Sequence, residues 1–448
     1  MTKLFGSSGI RGVANVEITL ALAQCVGSAL ATIHEGGSIV VGRDVRVTGP
    51  MLEAALISGI TSCGADARVT GLLPTPIVAW LTRELEADAG VVISASHNPP
   101  GYNGFKVFNA AGMSVTEKER GEIEEILNGS DFDYAPWDGV GSSEELAAAG
   151  MYFDTLSDNV NIGKEWNVVC DCNCGAAGVV ASECFEALGI HPTLINANPN
   201  GHFPAGSPEP TAENLRRLGA YVKAIGSEAG FGFDGDADRM MAVDERGNPV
   251  NGDLLFAAYA AHVCKARGGG VVVTHVGASM CVEDMVEAAG GKVTRVRVGD
   301  AYITEEMLKR NAVFGGEPIG AWVFPEVHMC PDGILSALKL LEALENRNMK
   351  LSEFSGEAKQ YPISSVKIET KAKTQVMKNI VKGYSSVFKG IKDVNRIDGI
   401  RLQLDDGWVL IRASGTEPLI RITAEGRDST ATKKLIDRGI ELVKGMEK

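Results

Sequence analysis

A short apolar run, a glycine-punctuated loop, a helical stretch, a glycine stop and a second apolar run recur three times along the chain. Ile39-Val40-Val41 opens the first unit. A helix is predicted over Met51 to Cys63, Gly64 ends it, and Ala67-Arg68-Val69-Thr70-Gly71-Leu72 resumes as a strand. The second unit runs from Val168 to Asp171, through a helix ending at Leu188 and a stop at Gly189, to the strand Thr193-Leu194-Ile195. The third begins with Val271-Val272-Val273-Thr274. Its helix ends at Ala289, and Gly290-Gly291 leads into Val293-Thr294-Arg295-Val296. Three such units predict three tandem related α/β domains with mixed, mainly parallel sheets, whose ligands bind beyond the carboxyl ends of the strands.

The pattern changes near Ser364. A lysine-rich helical stretch from Lys371 to Phe388 is followed by strands at Gly399 to Leu404, Trp408 to Arg412 and Leu419 to Ala424, then a final helix. That order predicts a small C-terminal α+β domain with an antiparallel sheet. Domain limits are expected at 1–150, 151–249, 250–361 and 362–448.

Composition narrows the class. The 448 residues suit three or four domains at about 150 residues each, and 45% hydrophobic against 22% charged residues describes a well-cored globular chain. No uncharged apolar run reaches the ~18–20 residues that cross a bilayer. The start, Met1 to Gly9, lacks the apolar region of a signal peptide, so a cytoplasmic location is expected. Lys and Arg total 43 against 57 Asp and Glu, for a net charge of −14 and no basic stripe, which argues against nucleic acid. An anionic ligand would then need a local cationic site that overrides the global field. Nine cysteines, an odd number, make no disulfide framework. Cys170, Cys172 and Cys174 read as small buried residues at a strand end, because no second ligand pair stands nearby to complete a metal site.

Three segments carry chemistry. In Asp234-Gly235-Asp236-Ala237-Asp238-Arg239, carboxylates at every second position repel one another unless a cation sits among them. Hard oxygen donors clustered this way suit Mg²⁺; a Ca²⁺ EF-hand fails because Arg239 stands where its glycine is needed. In Val91-Val92-Ile93-Ser94-Ala95-Ser96-His97-Asn98-Pro99-Pro100, a strand delivers Ser96 to an exposed loop as a nucleophile or phosphate carrier, with Lys106 nearby to move protons. It is not the G-x-S-x-G of a hydrolase. In Arg412-Ala413-Ser414-Gly415-Thr416-Glu417-Pro418, followed by Arg421, two arginines bracket hydroxyls and backbone N–H groups that can line an anion concavity. Gly6-Ser7-Ser8-Gly9-Ile10-Arg11-Gly12 and Gly315-Gly316-Glu317-Pro318-Ile319-Gly320-Ala321 are weaker glycine-rich turns, each with one charged residue.

In this order the segments resemble the α-D-phosphohexomutase family over essentially the whole chain, and Val298-Gly299-Asp300-Ala301-Tyr302 and Trp322-Val323-Phe324-Pro325 resemble its phosphoglucosamine mutase branch of archaeal type. The resemblance implies four domains around one cleft, and a mutase interconverting glucosamine 6-phosphate and glucosamine 1-phosphate. Glucose, mannose or pentose phosphates are the alternatives within the family, and a metal-dependent phosphatase the alternative outside it. It implies that Ser96, beside His97, carries a phosphoryl group, and that Asp234, Asp236 and Asp238 bind Mg²⁺ together with Ser96. A sugar bisphosphate is the implied intermediate and activator. Arg11 and Lys106 would assist proton transfer and stabilise charge, Arg239 would order the metal loop, and Glu317 would hold sugar hydroxyls. Arg412, Ser414, Gly415, Thr416 and Arg421 would grip the phosphate not being transferred. Ile319 and Ala321 stand where the common family loop has Ser and His. A phosphosugar is the implied partner, with a monomer or homodimer as the working unit.

Overall fold

The computed structural model describes residues 4–6, 8–414 and 418–446. Each of the first three sheets contains the same four-strand unit, in which a central parallel trio ends in an antiparallel return strand. In the first, Asp66–Leu72, Ser38–Arg43 and Ala89–Ile93 are parallel and Tyr102–Asn109 returns antiparallel. The second sets Thr193–Ile195, Val168–Asp171 and Ala229–Phe233 beside the return strand Met240–Val243. The third sets Gly291–Val296, Gly270–His275 and Phe314–Glu317 beside Ala321–Val323. The first sheet adds edge strands Ile10–Val13 and Ser143–Glu145. The fourth sheet, of five strands, is antiparallel throughout.

Local differences from the sequence expectation have local causes. The helix expected through Leu188 is a 3₁₀ turn, Ala176–Val179, and a short helix, Ala181–Glu186, because Val180 at φ −139° leaves the helical region between them. The lysine-rich stretch divides at Gly383 into a helix, Lys373–Gly383, and a 3₁₀ turn, Tyr384–Ser386. The glycine-rich start contains a strand, because Ile10–Val13 pairs with Tyr102–Asn109. Only glycine fits at position 104, opposite Arg11, since a Cβ there would lie 2.1 Å from the Ile10 carbonyl oxygen.

Burial explains why three domains act as one frame. A continuous apolar core runs from Trp80 through Tyr152 and Phe185 to Phe256, Trp322 and Leu338, and so joins the first three domains. The fourth has its own core around Ile400, Ile411, Ile422 and Leu435. It meets the third through a small cluster of Val276, Trp408 and Leu410. Glu425 adds a polar anchor there. Its Oε2 accepts from the Trp408 indole at 2.8 Å and from the Met280 N–H at 2.7 Å, at the start of the helix Cys281–Ala288. Cys170, Cys172 and Cys174 are buried and free, in keeping with small strand-end residues.

Candidate active site

The same strand of each repeat, the one beside the antiparallel return strand, delivers a chemical group at its carboxyl end. Ala89–Ile93 leads to Ser96, Ala229–Phe233 leads to Asp234, and Phe314–Glu317 ends on Glu317 itself. Three repeats facing one centre therefore bring together residues more than 200 positions apart in sequence.

Ser96 is fully buried rather than exposed as its loop suggested, because the acidic loop of the second domain packs against it, and its backbone is left-handed at φ +49°. Its hydroxyl donates to Asp234 Oδ2 at 2.7 Å, and His97 Nδ1 lies 3.4 Å from Ser96 Oγ. Burial, with the cations Arg239 and Arg11 close by, depresses His97 to about 3, so its imidazole is neutral at neutral pH.

The acidic loop is held at its backbone by the first three of the four domains. Ala176 N–H donates to the Gly235 carbonyl, Thr75 N–H to that of Asp236, and Gly333 N–H to that of Ala237, each at 3.0 Å. One oxygen from each of Asp234, Asp236 and Asp238 lies within 4.8 Å of the others. Lys106 Nζ donates to Asp236 Oδ2 and Asp238 Oδ2, both at 2.6 Å, and the Thr75 hydroxyl donates to Asp236 Oδ2 at 2.5 Å. Arg239 N–H donates to Asp234 Oδ1 at 3.2 Å. Burial opposes the charge on Lys106, yet Asp236 and Asp238 outweigh it and hold the ammonium above the usual lysine range. Asp236 shows the converse: burial raises it, but Lys106 brings it below the usual carboxylate range. Asp234, buried beside Asp238 and Asp236, is pushed well up. Among the described residues, Oδ1 of Asp236 and Oδ1 of Asp238 are buried without a hydrogen-bond partner. Two anionic oxygens that accept no hydrogen bond, beside a third carboxylate, fit a divalent cation, since a buried acceptor left unmatched is otherwise costly.

Arg11, Arg239 and the acid Glu317 surround this centre. Arg11 Nη1 donates to Asn98 Oδ1 at 3.2 Å, while its Nε is buried and finds no hydrogen-bond partner among the described residues. Arg239 lies 3.8 Å from both Asp238 and Glu209. Glu317 Oε1 accepts from Gly299 N–H at 3.1 Å, and burial lifts Glu317 to about 7 against the pull of Arg239. A cavity of about 260 Å³ opens beside them, lined by Glu209, Arg239, Met241, Asn251, Pro318 and Ile319. Ile319 is exposed there, whereas Ala321 is buried in the return strand.

The anion motif of the fourth domain stands apart in its own sheet. Arg412 and Arg421 are directly opposed across the strands Gly407–Ala413 and Leu419–Gly426, and Lys367 extends the rung. Like charges so opposed are unfavourable without an anion; Asp398 Oδ2 accepts from Arg412 at 3.1 Å. Ser414 N–H closes the turn on the Leu419 carbonyl at 2.9 Å, and Lys373 Nζ reaches the Ser414 carbonyl at 2.6 Å. Gly415 and Thr416 lie outside the described residues.

Sequence reading missed Thr75, whose signal was a hydroxyl set between Pro74 and Pro76 at a helix start. It also missed Lys367 and Lys373, where nothing local marks one lysine among many. Asp300 carried a signal in the Val298 to Tyr302 segment. Its carboxylate accepts from Ser8 at 2.7 Å and Ser114 at 2.6 Å, and so joins the first and third domains beside Glu317.

A serine hydrogen-bonded to an acidic cluster, ringed by cations and built from three α/β repeats plus a fourth domain, defines an enzyme for phosphoryl transfer. Family comparison sharpens that class. The models for phosphoglucomutase/phosphomannomutase α/β/α domains I, II and III match residues 2–134, 150–247 and 251–361, and that for the C-terminal domain matches 365–442. The chain belongs to the phosphoglucomutase/phosphomannomutase family, the α-D-phosphohexomutases, and is an isomerase of that kind. It is 42% identical to a probable phosphoglucosamine mutase of Methanobrevibacter smithii, over 99% of this chain and 98% of the relative. It is 39% identical to a phosphoglucosamine mutase of Methanocaldococcus jannaschii, over 99% of each. A phosphoglucomutase/phosphomannomutase family structure from Burkholderia thailandensis superposes with a TM-score of 0.90 at 26% identity, covering 99% of this chain and 98% of that one. Among the described residues no helix is long and apolar enough to cross a membrane.

Proposed function

We propose that this chain interconverts glucosamine 6-phosphate and glucosamine 1-phosphate, with Ser96 carrying the phosphoryl group between the two sugar positions. The observation that carries the reading is the Ser96 hydroxyl, 2.7 Å from Asp234, against a cluster in which two carboxylate oxygens accept no hydrogen bond among the described residues. In the forward half-reaction the bond from phosphorus to Ser96 Oγ breaks and a bond to a sugar hydroxyl oxygen forms. The hydroxyl gives up its proton and Ser96 regains one. The bisphosphorylated sugar then turns over, and its other phosphoryl group returns to Ser96 with the reverse proton movement.

Asp234, Asp236, Asp238 and the oxygens on Ser96 would hold Mg²⁺, which when bound supplies charge neutralisation at the transferring phosphoryl group. Lys106, kept cationic by Asp236 and Asp238, suits charge stabilisation in the same place. Arg11 lies against Asn98 of the serine loop and adds a second cation. Arg239 orders the acidic loop through Asp234 and Asp238. Neutral His97 beside Ser96 adds no competing charge. Glu317 would receive sugar hydroxyls at the mouth of the cavity. Arg412, Ser414, Gly415, Thr416 and Arg421 would grip the distal phosphate, and so use binding energy remote from the reacting bond to orient the sugar. A cytoplasmic enzyme working as a monomer or homodimer completes the reading.

Ile319 and Ala321 offer the sugar no hydrogen-bonding side chain, so the assay must compare sugars. Glucosamine, glucose, mannose and pentose 1-phosphates, each with Mg²⁺ and a sugar bisphosphate, should show the highest kcat/KM for glucosamine. Equal turnover of pentose phosphate would contradict the substrate assignment, and free phosphate without isomerised sugar would contradict the mutase.

A further inference from the structure

Asp44 and Arg46 belong to none of the motifs above, yet they lie under the serine loop at 0% and 1% exposure. All five guanidinium N–H groups of Arg46 are used, which is the full capacity of that fork. Nε donates to Asp44 Oδ2 at 3.0 Å. Nη1 donates to the carbonyls of Pro99 at 2.7 Å and Tyr102 at 2.8 Å, and Nη2 to those of Ser96 and Asn98, both at 2.7 Å. Asp44 supplies a second arm. Its Oδ2 accepts from the Ser94 hydroxyl at 2.8 Å, and that hydroxyl oxygen accepts from Ser96 N–H at 2.8 Å.

Ser96 is therefore gripped through both its N–H and its carbonyl. It needs that grip, because a serine at φ +49° persists only where its surroundings over-determine it. The second domain closes the arrangement from the other side. The Phe203 ring centre lies 5.5 Å from the guanidinium, and a Cβ on Gly201 would meet the Val45 carbonyl oxygen at 2.5 Å.

We propose that Arg46 is a positioning residue for phosphoryl transfer. Through four loop carbonyls and Asp44 it fixes the left-handed turn that aims Ser96 Oγ at the acidic cluster, without itself touching the sugar. A strut serving stability alone has no need to spend four of its five donors on the backbone of one loop. This rests on the reading of Ser96 as phosphoryl carrier.

The test uses Arg46→Lys, which keeps a cation opposite Asp44 but loses the planar fork, and Ser94→Ala, which removes the second arm. Arg46→Lys should fold, keep KM for glucosamine 1-phosphate within about twofold and lower kcat about 10²-fold, the loss expected when a reacting atom is misplaced by about 1 Å. The rate of phosphate uptake on Ser96 from glucose 1,6-bisphosphate should fall in parallel. Without any substrate, amide hydrogen exchange should quicken over residues 94–104 and stay unchanged in the strand Ser38–Arg43. Ser94→Ala should lower kcat about tenfold by the same argument.

A folded Arg46→Lys enzyme with wild-type kcat, a loss confined to KM, or unchanged exchange over 94–104 would overturn the proposal. Should Arg46→Lys not fold, wild-type kcat in Ser94→Ala overturns it. A wild-type enzyme that never takes phosphate on Ser96 contradicts the mutase reading instead, and the substrate-free exchange experiment still judges the grip.

Discussion

Gly235 sits between Asp234 and Asp236 with its Cα against the serine loop, and it offers a graded perturbation of the distance between the two halves of the site. A Cβ at this position would stand 2.7 Å from the Ser96 carbonyl oxygen and 3.4 Å from two atoms of the Phe203 ring. Ordinary van der Waals contact begins at 3.4 Å, so Gly235→Ala must push the carbonyl back by about 0.7 Å. Gly235 is not among the left-handed glycines, so the effect is steric rather than conformational. The carbonyl cannot retreat freely, because Arg46 Nη2 holds it at 2.7 Å. Either that bond stretches or the acidic loop draws away from Ser96 Oγ. Overpacking of this size costs about 1–3 kcal/mol in stability. A displacement near 1 Å at a reacting atom costs about 10²-fold in rate, so the displacement here predicts a kcat loss of roughly 10- to 100-fold. Steady-state assays at a temperature where circular dichroism shows the variant folded would read it. Gly101, in the serine loop, has nothing within 4 Å of the place a Cβ would take, so Gly101→Ala is the control and should keep kcat within about twofold. Wild-type kcat in Gly235→Ala, or an equal loss in Gly101→Ala, would refute the reasoning.

Further outcomes follow from the charges. Lys106→Met strips Asp236 and Asp238 of the ammonium they share at 2.6 Å, and should destabilise the metal-free protein by about 3–5 kcal/mol. Mg²⁺ should then raise the melting temperature of the variant more than that of the wild type, and equal shifts would contradict the shared-cation account. In the wild type, Mg²⁺ at about 100 times its Kd should add about 2.7 kcal/mol of stability, and Asp236→Asn should lose most of that gain. A melting temperature indifferent to Mg²⁺ contradicts the cation site. Glu317, lifted by burial to about 7 from 4.5, holds its proton more tightly in the folded state than in the unfolded chain. Its contribution to stability is therefore present at low pH and lost as pH rises from about 4.5 through about 7. Glu317→Gln should flatten that part of the stability–pH curve, as followed by denaturant titration; an unchanged slope would show that Glu317 is not the group responsible.

The parts of this molecule legible in its sequence are those written locally. Ile39-Val40-Val41, Val168 to Asp171 and Val271 to Thr274 declare buried strands by their unbroken apolar runs, and the glycines after each helix mark its end. The return strand Tyr102–Asn109 was not legible. It is buried along most of its length, so it carries no alternation, and its Asn103-Gly104 start looks like a turn. Among the candidate site residues, the three aspartates stand out because like charges at every second position demand a cation, and Ser96 because a loop carries it just past an apolar strand. Thr75 and Arg46 do not. Each matters through a partner distant in sequence, Thr75 through Asp236 and Arg46 through the carbonyls of residues 96–102, and no local pattern encodes such a meeting. The fourth-domain rung of Lys367, Arg421 and Arg412 was half legible, since the arginines flank a turn while the lysine joins only through strand register.

The mutase account stands on phosphate residing at Ser96 in the course of turnover. Intact-mass measurement with peptide mapping, after incubation with glucose 1,6-bisphosphate and Mg²⁺, tests it most directly. The account predicts one phosphoryl group per chain, located on Ser96, discharged by excess glucosamine 1-phosphate, with neither labelling nor turnover in Ser96→Ala. Interconversion of the sugar phosphates with Ser96 never phosphorylated, or with the phosphate on another residue, would contradict it.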